Sequence, residues 1–166
     1  LLKKGESSAE PVDLNELVES TTKLLRSELI ERRVTLETDL AIGRPSTFGD
    51  PVQLQQVLLN LTVNAMDAMA STPVEQRRIH VSTRETPAGA VKLFVRDHGP
   101  GIKPAGGKQV FEPFYTTKDQ GLGLGLTICA TIIRKHGGTI DLRNDGACGA
   151  VAEVSLPAGV MFMATQ

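Results

Sequence analysis

Apolar residues recur every three or four positions in two long segments of the chain, a spacing that is typical of amphipathic helices. The first segment predicts a helix over residues 14–33, and the second predicts a helix over residues 51–70. Both have a recognisable start, since Asp13 can cap the first helix and Asp50, followed by Pro51, can cap the second. The first half of the chain is therefore expected to contain two long helices.

The pattern changes in the other parts of the chain. A third helix is predicted to end at His136, because the glycine pair 137–138 suits a helix terminus. Residues 3–11 are polar and contain glycine, serine and proline, which is the composition of a linker. Strands are predicted, mostly from alternating apolar and polar positions, over residues 34–40, 78–85, 91–97, 139–144 and 150–156.

The composition excludes several classes of protein. With 166 residues, 40% of them hydrophobic, the chain fits one compact domain with a sizeable core, and disorder is excluded as its main state. The net charge of −1 gives no overall positive field for nucleic-acid phosphates. Cys129 and Cys148 show neither CxxC spacing nor a Cys/His cluster, so neither a disulfide framework nor a structural zinc site is indicated.

The second predicted helix carries an unusual polar stripe. Gln56, Asn60 and Asn64 are spaced four residues apart and so lie on one side of the helix. Beside them runs an apolar stripe formed by Leu54, Val57, Leu58, Leu61, Ala65 and Ala68. Uncharged amides next to a core stripe favour a pocket wall, where charge would be costly. An amide-rich surface face would show the same pattern.

A glycine-rich segment over residues 99–125 separates the strand 91–97 from the third helix. Long loops inside compact domains are usually functional. Asp97 closes the strand, and GLGLGL precedes the helix, whose first backbone N–H groups suit a phosphate. Alone, DHGPG could be a turn and GLGLGL a hinge. The P-loop pattern fails because Ile102 and Gln109 replace required residues, and the G-x-G-x-x-G fingerprint fails as well.

Four motifs that follow one another along the chain decide between the structural and functional interpretations that each motif leaves open by itself. QLQQVLLNLTVNAMDAM, DHGPGI, VFEPFYTTK and GLGLGLTI resemble the N, G1, F and G2 boxes of the sensor histidine kinase ATP-binding domain. That domain belongs to the GHKL superfamily of gyrase, heat-shock chaperone, histidine kinase and mismatch-repair ATPases. The resemblance covers about residues 12–157. Only Asp119 and Gln120 separate TTK from GLGLGL, which is similar to the short-lid kinases related to oxygen-sensing and nitrogen- or dicarboxylate-responsive sensors.

The resemblance implies an α/β fold of the Bergerat type, a two-layer sandwich with a mixed, largely antiparallel sheet of about five strands under three helices. It divides the chain into a linker from a missing upstream helical dimerisation domain (1–11), the catalytic domain (12–157) and a C-terminal tail (158–166). The implied function is transfer of the ATP γ-phosphoryl group to a histidine on that dimerisation domain. The implied setting is a cytoplasmic, homodimeric parent protein with a response regulator receiver domain as partner, without nucleic acid or membrane contact by this domain.

The resemblance also implies a set of site residues. Asp97 matches the aspartate that reads the adenine amine, and Asn64 matches the asparagine that binds Mg²⁺ beside the ATP phosphates. The implied catalytic residues are Asn60, Asn64 and Lys118. The implied cofactor-binding residues for ATP are Asn64, Asp97, Gly99, Gly101, Ile102, Thr117, Lys118, Gly121, Leu122, Gly123, Leu124, Gly125 and Leu126.

Asn60 favours a kinase over a mechanical ATPase. The ATPases of the superfamily place a water-activating glutamate there, and an amide cannot take that proton. None of the three histidines, His80, His98 and His136, lies in the H-[ED]-x-x-x-P context of a phosphoacceptor. A GHKL-type ATPase fragment and a nucleotide-binding module without catalysis are the alternatives.

The segment 103–120 is predicted to act as a lid over the nucleotide. Its polar residues and glycines contribute little apolar burial, so it should be the most mobile internal segment without nucleotide. Phe111, Phe114 and Tyr115 are expected to pack the lid against the body of the domain or its partner helices, although they could also be ordinary core residues.

Overall fold

Two β-sheets and four α-helices make up the described part of the chain, which is residues 9–102, 125–146 and 149–159 of a computed structural model. The elements in chain order are β1 (Glu10–Asp13), α1 (Leu14–Leu24), α2 (Arg26–Glu31), β2 (Thr35–Asp39), β3 (Ser46–Gly49), α3 (Pro51–Ala68), a 3-10 turn (Val74–Gln76), β4 (Arg78–Glu85), β5 (Val91–Asp97), α4 (Gly125–Lys135), β6 (Thr139–Asn144) and β7 (Ala150–Leu156).

The main sheet has five strands in the order β2-β4-β5-β7-β6. β2 runs parallel to β4, and the other neighbouring pairs are antiparallel. Successive side chains of a strand point to opposite faces, so one face can be apolar and the other polar. Val81 of β4 pairs with Val95 of β5 on the buried face, whereas His80 pairs with the exposed Arg96 on the other.

Helices cover the apolar face of this sheet. α3 contacts α1, α4 and the central strands β4 and β5, and α4 also contacts β6. The apolar stripe predicted for α3 is buried from Leu54 to Ala65, whereas Ala68 at its end is exposed. The predicted two-layer α/β sandwich with a largely antiparallel sheet is confirmed. Within the described residues the first of the three predicted helices is divided into α1 and α2.

The first predicted helix, 14–33, is two shorter helices. Leu25 interrupts it with a φ of −88° and a ψ of 0°, while Leu25 and Leu29 keep the apolar face buried. α2 then ends before Arg33, which adopts a left-handed φ of 54°. Helices usually end on glycine in that conformation. Because arginine and not glycine occupies position 33, nothing in the sequence indicates that α2 ends there.

A two-stranded ribbon, β1 with β3, was not predicted. Pro11 lies opposite Phe48 in its antiparallel register. Glu10 and Pro11, which the sequence analysis assigned to the linker, thus pair with the rest of the domain. The Gly159 N–H donates to the Ser46 carbonyl at 2.8 Å, so the ribbon also contacts the C-terminal side. The domain limits at residues 12 and 157 stay a prediction.

The predicted helix starts are confirmed, and the ends are close. Asp50 Oδ1 accepts the Val52 and Gln53 N–H groups, with Pro51 in the first turn, and Asp13 caps α1 in the same way. α3 ends two residues before the predicted position 70. None of the described helices is long and apolar enough to cross a membrane.

Candidate nucleotide-binding site

Asp97 is a buried carboxylate at the end of β5, with only 7% of its surface exposed. Its Oδ1 accepts the Gly99 N–H at 2.8 Å and the Ala150 N–H at 3.3 Å. Burial raises the pKa of Asp97 above its ordinary value, and the two N–H groups offset this only in part. Both described hydrogen bonds end on Oδ1, so within the described residues Oδ2 is the acceptor left for a ligand.

The loop after Asp97 packs closely against α3. A Cβ atom added to Gly99 would lie 3.0 Å from the Ala68 carbonyl oxygen and 3.1 Å from Asp97 Oδ1. A larger residue at this position would therefore push the loop away from the helix. Ala68 lies one helical turn after Asn64. The predicted adenine-side and phosphate-side residues thus approach the same helix.

The polar stripe of α3 divides into an exposed and a half-buried part. Gln56 is exposed, whereas Asn60 and Asn64 are half-buried. A Cβ atom added to Gly125 would lie 3.9 Å from Asn64 Nδ2, so this amide adjoins the first residue of α4. The N-terminal end of a helix carries partial positive charge and favours anions. Asn64 and Gly125 therefore lie together where a phosphate can be accommodated.

Asn60 contacts α4 through a cysteine. The Cys129 thiol donates a hydrogen bond to the Val57 carbonyl at 3.8 Å, and the Asn60 side chain lies beside the same thiol, where it favours the ionised form. Burial raises the pKa of Cys129 to about 11, so the thiol stays protonated near neutral pH. A protonated, fully buried thiol is a packing residue and not a nucleophile.

The structure describes eight of the predicted site residues. Gly101 and Ile102 continue the loop after Gly99, and Leu126 follows Gly125 in the first turn of α4. The predictions for Thr117, Lys118 and residues 121–124 lie outside the described residues, as do those for the lid 103–120 and its three aromatic residues. The eight described residues are Asn60, Asn64, Asp97, Gly99, Gly101, Ile102, Gly125 and Leu126.

The strands of the β6–β7 hairpin lie where the sequence predicts them, but sequence reasoning missed the contacts of this hairpin with the candidate site. Ala150 supplies one of the two N–H groups to Asp97, and Asn144 bonds to the Ile102 backbone at both of its polar atoms. Neither residue lies in one of the four motifs. Any residue except proline can donate a backbone N–H, so the residue type at position 150 does not indicate this role. An asparagine near a strand end, as at position 144, is also typical of an ordinary turn.

Comparison with known families decides the relationship of the chain. Residues 49–160 match the family model described as "Histidine kinase-, DNA gyrase B-, and HSP90-like ATPase". The chain belongs to this family. Asn60, Asn64, Asp97 and the start of α4 all lie inside the matched range.

The chain is similar to proteins that are named sensor histidine kinases or sensor proteins. The chain is 38% identical over 154 residues to the "C4-dicarboxylate transport sensor protein DctB" of Rhizobium meliloti (strain 1021), covering 93% of the chain and 24% of DctB. It spans about a third or less of the length of the curated relatives it matches. The chain is thus similar to one part of such proteins, the ATP-binding catalytic domain.

Two solved structures, of ShkA and of the histidine kinase ThkA, share the fold. Full-length ShkA in complex with AMPPNP has a TM-score of 0.81 at 26% identity, covering 94% of this chain and 32% of ShkA. ThkA in complex with the response regulator protein TrrA has a TM-score of 0.76 at 27% identity, covering 90% of this chain and 41% of ThkA. Both confirm the sandwich architecture predicted for the domain.

Proposed function

We propose that this domain binds Mg-ATP and that the protein containing it is a cytoplasmic, homodimeric histidine kinase. The observation that carries the proposal is the buried Asp97 carboxylate, which among the described residues keeps one oxygen for a ligand beside the Gly99 loop that packs on α3. A carboxylate oxygen accepts the exocyclic amine of adenine and repels the carbonyl that guanine has there. A site built on Asp97 would therefore select ATP over GTP. The AMPPNP bound to ShkA supports a nucleotide of this kind.

Asn64 would hold the metal ion in this scheme. Its amide adjoins Gly125 at the start of α4, and among the described residues no group of three His, Cys, Asp or Glu side chains could bind a metal by itself. Mg²⁺ fits such a site, because it keeps several waters and takes most of its remaining ligands from the nucleotide phosphates. Bound Mg²⁺ would neutralise charge on the phosphates.

Asn60 would leave the γ-phosphoryl group intact until a nucleophile arrives. An amide cannot act as general base, and the Asn60 amide lies beside the buried Cys129 thiol of α4. The expected nucleophile is a histidine imidazole on a separate dimerisation domain. His136 does not suit this role, because its Nδ1 lies 2.7 Å from the Ile132 carbonyl and its Nε2 accepts the Asp50 N–H. A response regulator would then receive the phosphoryl group, as the ThkA–TrrA complex supports.

The site assignment is tested by the affinity of Asn64→Ala for ATP with and without magnesium. The matched control is Gln56→Ala, which removes an exposed amide of the same helix. We expect Asn64→Ala to weaken binding mainly when magnesium is present and Gln56→Ala to have no effect. Equal losses with and without magnesium would make Asn64 a structural amide.

The kinase assignment is tested with γ-labelled ATP. The chain alone should bind ATP, acquire no stable label and hydrolyse ATP slowly. The protein with its dimerisation domain should acquire an acid-labile label that Asn64→Ala abolishes. Rapid hydrolysis by the chain would favour a GHKL-type ATPase, and binding without transfer in the longer protein would favour a nucleotide-binding module without catalysis.

A further inference from the structure

Asn144 is the last residue of β6, and both polar atoms of its side-chain amide form hydrogen bonds with the backbone of a single residue. Its Oδ1 accepts the Ile102 N–H at 2.6 Å, and its Nδ2 donates to the Ile102 carbonyl at 3.0 Å. Ile102 is not in a strand, so the amide provides the pair of hydrogen bonds that a neighbouring strand would otherwise provide. Asn144 therefore fixes the position and direction of the chain at Ile102.

Gly101 shows how closely the amide is fitted to this loop. A Cβ atom at Gly101 would lie 2.6 Å from Asn144 Oδ1, and the Gly101 φ of +80° is in the left-handed region. Only glycine adopts this conformation without strain and leaves room for the amide. Asn144 thus contacts the loop of the predicted adenine site at two successive residues.

The same hairpin also fixes the other end of the loop. Ala150 donates its N–H to Asp97 Oδ1, and a Cβ atom at Gly149 would overlap the Asp97 carbonyl oxygen. The hairpin is closed by a hydrogen bond from the Asp145 N–H to the Gly149 carbonyl, and an ion pair at 2.8 Å between Asp145 and Arg96 of β5 joins its turn to the neighbouring strand. Residues 97–102 are therefore held at both ends by the turn between β6 and β7.

We propose that Asn144 is a positioning residue for adenine-nucleotide binding, which acts by holding the Gly101–Ile102 backbone in its binding conformation. The inference rests on the proposed function, since it assigns a role in the same site. Asn144 itself is exposed and acts through Ile102. A loop that is ordered before binding costs less conformational entropy when the ligand arrives. Loss of the amide should therefore weaken nucleotide binding without removing a nucleotide contact.

The first experiment compares Asn144→Ala with Thr139→Ala in the complete chain. Thr139 is an exposed residue of the same edge strand and serves as the matched control. We expect the Kd for Mg-ATP to rise about five- to twentyfold in Asn144→Ala and to stay unchanged in Thr139→Ala. Amide hydrogen exchange at Ile102 should also speed up in Asn144→Ala alone, before any nucleotide is added. Thermal unfolding checks that both variants fold.

A second variant and a double-mutant cycle separate positioning from general stability. Asn144→Asp keeps an acceptor for the Ile102 N–H but places an oxygen against the Ile102 carbonyl, so it should weaken binding at least as much as alanine. Because one hairpin holds both Asp97 and Ile102, Asn144→Ala and Asp97→Asn should couple, and the double variant should lose less affinity than the product of the single losses.

Each outcome bears on one of the two proposals. Wild-type affinity in Asn144→Ala and Asn144→Asp, or losses that simply multiply with Asp97→Asn, would overturn the positioning role while leaving the proposed function intact. A wild-type chain that does not bind Mg-ATP would instead overturn the proposed function, and the positioning role with it.

Discussion

Two carboxylates on neighbouring strands of the main sheet have opposite surroundings. Asp97 of β5 is buried, and within the described ranges its carboxylate accepts hydrogen bonds only from backbone N–H groups; burial raises its pKa. Glu153 of β7 lies on the opposite face of the sheet and forms ion pairs at 2.7 Å with Lys92 and with Arg143. Hydrogen bonding to Lys92 lowers its pKa most, with a further contribution from Arg143.

The difference shows which carboxylate serves stability and which serves binding. Glu153 has its charge compensated by two cations, so ionisation favours the folded state. Among the described residues, neither lysine nor arginine pairs with Asp97, and its charge is buried at a cost. A buried group whose ionisation opposes folding is a candidate for a functional site. The two residues should therefore respond in opposite ways to neutralisation.

Asp97→Asn should give the largest effect and is the strongest test of this comparison. Asparagine Oδ1 can still accept the Gly99 and Ala150 N–H groups, while Nδ2 replaces the oxygen that would face the adenine amine. The loss of one charge-assisted hydrogen bond should lower ATP affinity roughly ten- to a hundredfold. Because the buried charge is removed, the thermal midpoint at neutral pH should stay the same or rise.

Calorimetry with ATP and thermal unfolding of the same samples measure both quantities. Unchanged affinity in a folded variant would make Asp97 an ordinary turn residue. A large fall in the thermal midpoint would show that the ionised form stabilises the fold, and the contrast with Glu153 would then disappear.

The parts of the fold that were predictable are those with a repeating local signal. The caps at Asp13 and Asp50 and the apolar stripe of α3 follow from short-range rules, and the four ordered motifs led to the correct family. The β1–β3 ribbon has strands of four residues each, too short for an alternation pattern to stand out. The end of α2 before Arg33 could not be predicted either, because an arginine does not indicate a left-handed φ.

The residues of the proposed site could be predicted from the sequence only where the identity of the residue matters. Asp97 and Asn64 belong to motifs, so their types and spacing identify them. The Ala150 N–H and the Asn144 amide act through hydrogen bonds between residues that are 53 and 42 positions apart from their partners. Such contacts depend on the pairing of β5 with β7 and of β6 with β7. These contacts can be predicted only when the order of the strands in the sheet is known.

The pH dependence of adenosine binding sharpens the comparison further. The ionised Asp97 should accept the adenine amine, so affinity should be lost as the pH falls through the pKa of Asp97. That pKa is raised by burial, so the loss should begin at a higher pH than for an ordinary aspartate, whose pKa is about 3.9. Adenosine is used because it has no phosphate to titrate. Asp97→Asn should lack this step, and a step that persists in the variant would belong to another group.

Glu153→Gln should have the smallest effect, with the opposite sign for stability. Glu153 contributes stability that is present above its unfolded pKa of about 4.3 and is lost as the pH falls through its lowered folded pKa. Because Arg143 is largely exposed and the ion pair is screened, the loss at neutral pH should be about 1 kcal/mol or less and should shrink at high salt. Nucleotide affinity should not change, because the side chain lies on the face of the sheet away from Asp97. Denaturant unfolding at low and high salt, together with ATP titrations of the same variant, measures these effects.

A substantial loss of ATP affinity in Glu153→Gln would mean that the two faces of the sheet are coupled and that the division between a stabilising and a binding carboxylate is wrong.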